Sequence, residues 1–270
     1  MSLHFSPASS SAARIESTFT FIAETPGATR RGYSWIPTMA ACRSCAIVPP
    51  RIAVAVGFFA CRRLRRHPRV PYGSRVRVAL LADTHLPSLI RQLDELGSGP
   101  RELLATADLI LHAGDVTAPS VLDWCEAFAP VLVAQGNNDI FEDPRLAHRQ
   151  MLDLEGWRLG MTHELRPESR PISVLLNEGL GGEQVDVLIA GDTHVERLEF
   201  REDVLFVNPG SPTLPHHKEY RLGTAAILDI ERDRIRAEVH LLGQTEGRPN
   251  PCTGSVLEIT RDNGRVSVVS

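Results

Sequence analysis

The sequence predicts an α/β (α+β) fold, a four-layer αββα sandwich of two mixed β-sheets flanked by helices, with a disordered N-terminal extension. Short, branched apolar runs alternate with helical stretches between residues 76 and 139, as in a parallel sheet covered by helices. The apolar runs after residue 139 lie close together, as the partners of hairpins do. Two stacked sheets with helices outside accommodate both patterns.

Four runs are short, branched and apolar, as buried strands are: residues 76–82, 109–112, 131–134 and 187–190. Leucine and isoleucine recur at helical spacing in the two segments between the first three runs, residues 86–107 and 118–128. The order strand, helix, strand, helix, strand predicts a parallel sheet in the first half of the domain.

Hairpins are predicted in the second half. A tight turn at Glu155 and Gly156 joins the runs at 151–154 and 157–161. Further strands are predicted at residues 195–200, 205–207, 225–230 and 235–242. Residues 243–254 have the composition of a linker, and residues 255–269 predict a hairpin turning at Asp262, Asn263 and Gly264. The predicted organisation is a domain at 76–242 followed by a linker and C-terminal hairpin at 243–270.

Charge separates the first 75 residues from the rest. They hold 11 arginines against Glu16 and Glu24, whereas residues 76–270 hold 18 basic against 31 acidic side chains. Because the first 75 residues lack regular apolar spacing, we expect a disordered basic leader or a mis-assigned start of the chain. A transit peptide has a similar composition. The CxxC of Cys42 and Cys45 has no second ligand pair nearby, and we interpret it as incidental.

Composition excludes several classes of protein. A chain of 270 residues with 43% hydrophobic and 23% charged residues is not a collagen, a disulfide scaffold or a membrane bundle. The longest apolar run, residues 52–61, is about half the roughly 20 residues that a spanning helix needs, so no membrane span is predicted. Only Cys125 and Cys252 fall in the acidic region, which favours a cytoplasmic location.

Polar residues able to bind a metal follow five of the predicted strands. They are Asp83-Thr84-His85, Gly114-Asp115, Gly136-Asn137-Asn138-Asp139, Thr162-His163 and Gly191-Asp192-Thr193-His194. Each alone is more typical of a turn or a helix cap, but in open α/β sheets the carboxyl ends of strands meet at one crevice. In an extended chain, residues two apart point the same way, which pairs Asp83 with His85 and Asp192 with His194. Imidazole, carboxylate and amide donors suit first-row divalent ions such as Mn, Fe or Zn.

The order of these motifs resembles the calcineurin-like metallophosphoesterases, and within them the small single-domain bacterial and archaeal phosphodiesterases. The family pattern is D-x-H, G-D, G-N, a lone His and G-H-x-H, and this chain has D-T-H, G-D, G-N, His163 and G-D-T-H. Residues 208–211, N-P-G-S, are similar to a turn typical of the same branch. The resemblance covers about residues 76–242.

The resemblance implies a site for two divalent metal ions, with Mn preferred and Fe, Zn, Ni or Mg as alternatives. Asp83, His85 and His194 would hold one ion, Asn137 and His163 the other, and Asp115 would bridge them. Asp192 is a further candidate ligand. A metal-bridging hydroxide would attack phosphorus. Catalytic roles are implied for Asp115, Asn137 and Asn138, and substrate-side roles for Asn138, Gly210 and Ser211.

Two positions depart from the family pattern. Asp192 stands where the family has the first His of G-H-x-H. A third carboxylate would leave two divalent ions with a net charge of about +1 instead of +2, which weakens attraction for phosphate and favours Mn or Mg, or leaves the second site too weak to fill. Asn138 stands where larger relatives have a proton-donating His, so substrates with good leaving groups are favoured. Asp139 is expected to orient the neighbouring loop, and support of a metal ligand is a second interpretation for it.

The remaining histidines and tryptophans are assigned structural or surface roles. His112 is expected to be packed, Trp124 and Trp157 to lie in the core, and His148, His216, His217 and His240 to be exposed. His216 and His217 follow the N-P-G-S turn, so a position at the border of the substrate is a second interpretation for them.

The leading functional hypothesis is a metal-dependent phosphoesterase, and more specifically a phosphodiesterase for a small organic phosphate. The acidic balance of residues 76–270 argues against a stable nucleic-acid partner, and no membrane partner is expected. Homo-oligomer formation is left open. The alternative is a non-catalytic scaffold of the same fold, similar to a retromer subunit with altered ligands. Retention of six of the seven family ligands favours catalysis.

Overall fold

The computed structural model describes residues 75–87, 89–217 and 219–269. The predicted leader, with its CxxC at Cys42 and Cys45, lies outside the described residues except for Arg75. Within them, the strands in chain order are β1 (Val76–Leu81), β2 (Leu109–His112), β3 (Val131–Ala134), β4 (Leu146–Ala147), β5 (Gln150–Leu154), β6 (Trp157–Met161), β7 (Val187–Ile189), β8 (Arg197–Arg201), β9 (Val204–Asn208), β10 (Thr224–Ile230), β11 (Arg234–Leu241), β12 (Ser255–Asp262) and β13 (Arg265–Val268).

The helices are short. They are α1 (Gly99–Leu104), α2 (Pro119–Glu126) and α3 (Ile172–Leu180), and single 3-10 turns lie at Leu93–Leu96 and Pro215–His217. Pro119 begins α2, where its missing N–H costs no helical bond, and Gly181 ends α3 in a left-handed conformation with φ of 68°. No helix among these described residues is long and apolar enough to cross a membrane.

The strands form two mixed sheets. The larger has the order β13-β12-β11-β10-β1-β2-β3-β4, in which β1 to β4 are parallel and β10 to β13 are antiparallel. The smaller has the order β5-β6-β7-β9-β8, with β6, β7 and β9 parallel. The predicted parallel first half and hairpin-rich second half are therefore both present.

Each sheet buries one of its faces against the other sheet. Val78 and Leu80 of the larger sheet share this core with Leu159 and Ile189 of the smaller one, and all four are fully buried. Trp157 is buried in the same core and donates its indole N–H to the carbonyl oxygen of Glu231 at 2.7 Å. Burial of aromatic and branched side chains on both inner faces holds the sheets together.

Helices cover the outer faces. On the larger sheet, Leu122 of α2 and Leu104 of α1 pack in one cluster with Leu81 and Ile110. On the smaller sheet, α3 packs against Leu188 and Phe206. The succession of helix, sheet, sheet and helix confirms the predicted four-layer αββα sandwich.

Two predicted features need correction. Residues 86–107 do not form one helix but a 3-10 turn and the six-residue α1, because glycine and proline at Gly97, Gly99 and Pro100 interrupt the helical spacing. Helix α3 is not among the predicted elements, although Ile172, Leu175, Leu176 and Leu180 have helical spacing and are all buried. The two-residue β4 was also not predicted.

The predicted C-terminal hairpin is present and extends the larger sheet. Strands β12 and β13 are joined at Asn263 and Gly264, which both have positive φ, as a tight hairpin turn requires. Strand β12 pairs with β11 over its length, and Ile259 is fully buried in the core between the sheets. Residues after 242 therefore contribute to the same core as the predicted domain.

Candidate metal centre

The five predicted motifs meet at the carboxyl ends of strands in both sheets. The loops after β1, β2 and β3 of the larger sheet face the loops after β6 and β7 of the smaller one. Backbone and side-chain hydrogen bonds join them: the Asp83 N–H donates to Gly114 O at 2.9 Å, and the Asp192 N–H donates to Asp83 Oδ2 at 2.9 Å. A shared pocket is lined by His85, Asp115, Asn137, Asn138, Arg166, Asp192, His194, Leu214 and His217.

Many of the candidate site residues have a left-handed backbone conformation, which sets the direction of their side chains. Asp83, His85, Asp115, Asp192 and His194 have φ between 45° and 69°. Such a conformation is uncommon outside glycine and costs of the order of 1 kcal/mol or more per residue, and it concentrates at functional sites. The extended backbone predicted for Asp83–His85 and Asp192–His194 is therefore wrong, because these four residues lie in left-handed turns. Asp83 and His85 still share one donor group, whereas Asp192 lies near His163 and His194 lies near Asp83.

Asp83, His85 and His194 form the first group of donors. The Nε2 atoms of His85 and His194 lie 3.0 Å apart, and His194 Nε2 lies 3.7 Å from Asp83 Oδ1. One donor atom from each residue lies within 4.8 Å of the others. The three side chains are therefore close enough to share one cation.

The second group contains His163 and Asn137. The His163 Nε2 atom lies 3.2 Å from Asn137 Oδ1 and 3.8 Å from Asp192 Oδ1. Asp115 lies between the two groups: its Oδ2 is 3.4 Å from His85 Nε2 and its Oδ1 is 3.4 Å from His163 Nε2. Each carboxylate oxygen of Asp115 thus faces a different group of donors.

Backbone carbonyls orient two of the imidazoles. His163 Nδ1 lies 2.7 Å from Ala113 O, and His194 Nδ1 lies 2.8 Å from Leu214 O. A carbonyl only accepts, so each Nδ1 carries the hydrogen that it donates. In a neutral ring the lone pair then lies on Nε2, the atom that faces the site, as metal-binding histidines require.

Asn138 and Asp139 fix the position of Asp115. Asn138 donates its backbone N–H to Asp115 Oδ1 at 2.9 Å and its side-chain amide to Oδ2 at 2.6 Å. The buried Asp139 carboxylate accepts the N–H groups of Asp115, Thr117 and Gly136 at 3.0, 2.7 and 2.9 Å. The loop-orienting role expected for Asp139 is confirmed by these contacts.

A glycine is required beside Asp115. A Cβ atom added to Gly136 would lie 2.2 Å from Asp115 Oδ1. Any side chain there would displace the carboxylate that faces both donor groups.

Burial, neighbouring charges and hydrogen bonds shift the pKa values of the site residues, and these effects can oppose each other. Burial lowers the pKa of His85, and it lowers that of His194 to about 4, so both rings are neutral and able to ligate. Burial raises the pKa of Asp83 well above its usual range. Burial also acts to raise the pKa of Asp115, but hydrogen bonds from His163 and Asn138 outweigh it and hold the pKa well below its usual range.

His163 behaves differently from the other two histidines. Burial acts to lower its pKa, but the hydrogen bond to Asp115 and the charges of Asp83 and Asp115 raise the pKa to about 9. Without a cation, a proton on His163 therefore neutralises part of the carboxylate charge. A divalent ion would supply that positive charge and displace the proton.

Arg166 lines the pocket although it is not among the predicted site residues. Its Nε contacts Asp192 Oδ2, its Nη2 donates to the backbone oxygen of Asp192, and half of its side chain is exposed. The carboxylate of Asp192 therefore has one oxygen near His163 and the other on a guanidinium. No sequence pattern marks Arg166, because it lies in an irregular loop and reaches Asp192 only through the fold.

Gly210 and Ser211, for which a substrate-side role is predicted, do not line this pocket. Both are buried. The Ser211 hydroxyl donates to Asp83 O at 2.7 Å and accepts the Leu214 N–H at 2.8 Å. The N-P-G-S turn is therefore hydrogen-bonded to the backbone of the loop that carries Asp83.

The other histidines differ in part from expectation. His148 and His217 are exposed as predicted, whereas His216 and His240 are half-buried. His217 stacks on His194 with ring centroids 3.7 Å apart and lines the pocket. His112 is fully buried, and burial lowers its pKa to about 3. Trp157 is in the core, and Trp124 is partly buried against the helical layer.

Known proteins are similar to this chain in sequence or in fold. A family model described as the calcineurin-like phosphoesterase superfamily domain matches residues 76–233. A protein of Methanothermobacter thermautotrophicus named "Probable metallophosphoesterase" is 32% identical over 164 residues, which cover 60% of this chain and 90% of the relative. Another of that name, from Methanocaldococcus jannaschii, is 33% identical over 146 residues, covering 53% and 71%. The structure of Vps29 from Chaetomium thermophilum has a TM-score of 0.56 at 20% identity, covering 69% of this chain and 96% of that one.

The fold and the family match lead to one identification. This chain belongs to the calcineurin-like phosphoesterase superfamily. Its donor set of imidazole, carboxylate and amide groups fits the divalent metals on which metallophosphoesterases depend.

Proposed function

We propose that the protein is a dinuclear-metal phosphodiesterase that hydrolyses small organic phosphodiesters. The observation that carries the proposal is the position of Asp115, whose two oxygens each lie 3.4 Å from an imidazole nitrogen of a different donor group. A carboxylate in that position can bridge two cations. His85, His194 and Asp83 would hold one, and His163, Asn137 and Asp192 the other.

Two divalent ions held there would activate water as the nucleophile and withdraw charge from the phosphoryl oxygens. The protein would contribute orientation. The hydrogen bonds of Asn138 and Asp139 hold Asp115 before any ion binds, which lowers the cost of assembling the site. We propose Mn as the preferred ion because oxygen donors outnumber nitrogen donors in this set, with four oxygen-donor residues (Asp83, Asp115, Asp192 and Asn137) against three histidines.

Arg166 adds a positive charge at the pocket wall. A guanidinium presents several N–H donors in one plane, which suits both the Asp192 carboxylate and a phosphate oxygen. Two divalent ions and the three carboxylates Asp83, Asp115 and Asp192 would have a net charge of about +1. The guanidinium of Arg166 raises this net charge to about +2. The weakened attraction for phosphate expected from Asp192 alone is thereby offset.

The leaving group is constrained by Asn138. Asn138 donates its backbone N–H and its side-chain amide to the Asp115 carboxylate. An amide does not protonate a departing alkoxide at neutral pH, so Asn138 cannot act as the general acid. We therefore propose substrates whose leaving group is stable as an anion, such as aryl esters. The acidic balance of residues 76–270 disfavours long nucleic acids as substrates.

A metal-dependence assay tests the proposal. Full-length protein is treated with EDTA, dialysed, and assayed on an aryl phosphodiester and on the matching monoester with and without added Mn²⁺. We expect turnover of the diester only with Mn²⁺, with kcat/KM at least about tenfold above that of the monoester. Absence of metal-dependent turnover on either ester would contradict the proposal and favour the scaffold hypothesis. Preference for the monoester would contradict the phosphodiesterase assignment alone.

A further inference from the structure

A second group of metal-binding side chains lies outside the candidate metal centre. Glu196, His216 and Cys252 each offer one donor atom within 4.8 Å of the other two. His216 Nε2 lies 2.9 Å from Glu196 Oε2 and 3.7 Å from Cys252 Sγ. Cys252 lies beyond the family domain, which ends at residue 233, so this group combines the domain with the segment that follows it.

The separations fit a tetrahedral zinc site. Zinc binds cysteine sulfur at about 2.3 Å and histidine nitrogen or carboxylate oxygen at about 2.0 to 2.2 Å, which places neighbouring tetrahedral donors roughly 3.3 to 3.6 Å apart. The observed separations of 2.9 and 3.7 Å lie close to that range. Small side-chain rotations would therefore bring the three donors onto one ion.

The backbone holds the donors in place without an ion. Thr253 donates its N–H to Glu196 Oε1 at 2.8 Å, and Cys252 donates its N–H to Asn250 Oδ1 at 3.0 Å. His216 is held in a left-handed conformation with φ of 55°, and its N–H donates to His194 O at 2.9 Å. The donors are thus preorganised by the loops that carry them.

A buried hydroxyl beside the cysteine marks the interior of this group as polar. Thr224 is fully buried. It lies next to the Cys252 thiol and acts to lower the pKa of that thiol.

We propose that Glu196, His216 and Cys252 form a mononuclear site for a borderline divalent cation, with Zn²⁺ as the best match. Cysteine, histidine and glutamate together favour zinc over the oxygen-preferring Mn²⁺ or Mg²⁺. His216 has 24% of its side chain exposed, which gives the ion a route from solvent and leaves a fourth position for water. On binding, the sulfur–metal bond forms and the thiol proton leaves to solvent.

By binding both Cys252 and Glu196, the ion would link the segment after β11 to the loop after β7. Glu196 lies two residues from His194, and His216 precedes His217, which stacks on His194. The proposed zinc site therefore stabilises the wall of the candidate metal centre without supplying a ligand to it.

A simple hydrogen-bonded group is the competing explanation. Burial and the neighbouring Glu196 raise the pKa of Cys252 to about 12, so without a metal the thiol remains protonated. The same three side chains would then only tether the segment. The two explanations differ in one property, because only a metal site forms a thiolate.

Cobalt absorption distinguishes them. Metal-free full-length protein is titrated with Co²⁺, a spectroscopic substitute for Zn²⁺, and the near-ultraviolet band from thiolate to cobalt is followed. The candidate metal centre has no sulfur donor and cannot give this band. We expect the band in the wild-type protein, its loss in Cys252→Ser, and its displacement by Zn²⁺.

Two controls complete the test. The variant Cys42→Ser/Cys45→Ser/Cys61→Ser should keep the band, which excludes the N-terminal cysteines as its source. The variant His216→Gln should weaken Co²⁺ binding at least about tenfold while preserving the size of the side chain. A wild-type protein without the band, or a band that survives Cys252→Ser, would overturn the proposal. Mn²⁺-dependent turnover of Cys252→Ser should persist, so this outcome is separate from that of the phosphodiesterase assay.

Discussion

Replacing Asp115 by asparagine is expected to reduce Mn²⁺-dependent phosphodiester turnover by more than about 10²-fold. Changing a group that only supports a metal ligand already costs about 10- to 100-fold, and Asp115 faces both donor groups directly. Asparagine removes the negative charge and replaces one oxygen by an amide nitrogen, which cannot ligate. Metal content, measured by elemental analysis after dialysis against Mn²⁺, should fall together with turnover.

The fold should survive this substitution. Asp115 has φ of 57°, a conformation that asparagine adopts more readily than most residues, and the Asp139 contact is made to the backbone N–H. Asp153→Asn is the matched control, because Asp153 is exposed on β5 away from the pocket. The control should keep full turnover and metal content. Undiminished turnover in Asp115→Asn would show that this carboxylate does not bridge metals.

The second large effect is expected at Arg166. We expect Arg166→Gln to lower kcat/KM for the aryl phosphodiester about tenfold, as the loss of about 1.4 kcal/mol of charge-assisted interaction predicts. The reason is that Asp192 then keeps its negative charge without the guanidinium that contacts it. Arg158→Gln is the matched control, since Arg158 forms an exposed ion pair with Glu183 at 2.7 Å on the surface.

A double-mutant cycle shows whether Arg166 acts through Asp192. Asp192→His restores the residue of the family pattern, and Arg166 then has no carboxylate to pair with. If the two residues form one unit, Arg166→Gln/Asp192→His should retain more turnover than the product of the single effects predicts. Strict additivity of the two changes in kcat/KM and in metal content would contradict a shared role.

Much of the fold could be predicted because local patterns agree with the final packing. Strands β1 to β3 and the β5–β6 hairpin lie within a residue or two of their predicted positions, since short runs of branched apolar residues between turn signals are typical of buried strands. The prediction of one helix over residues 86–107 is wrong because Gly97, Gly99 and Pro100 interrupt the helix that the leucine spacing indicates. Helix α3 was missed even though its spacing and the following Gly181 indicate a helix.

The candidate site could be predicted because its residues follow strands directly. A strand end places its next few side chains at the edge of the sheet, so the order of Asp83, Asp115 and His163 along the chain translates into proximity. Arg166 could not be found in this way because it lies in an irregular loop. The contacts of Ser211 could not be found either, since a motif identifies a turn but not which side of it faces the pocket.

The charge of the site could not be obtained from the sequence alone. Counting the three carboxylates Asp83, Asp115 and Asp192 predicted a site with weaker attraction for phosphate. The structure adds the guanidinium of Arg166 in contact with Asp192. Electrostatic predictions from a motif therefore require knowledge of the residues that the fold brings to it.

Anomalous diffraction tests the central claim most directly. Crystals of the full-length protein grown with Mn²⁺ would be measured on both sides of the manganese absorption edge. We expect two anomalous peaks per chain, roughly 3.5 to 4 Å apart, one beside His85 and His194 and one beside His163, with Asp115 between them. A single peak, or none within reach of Asp115, would contradict a dinuclear centre in this protein.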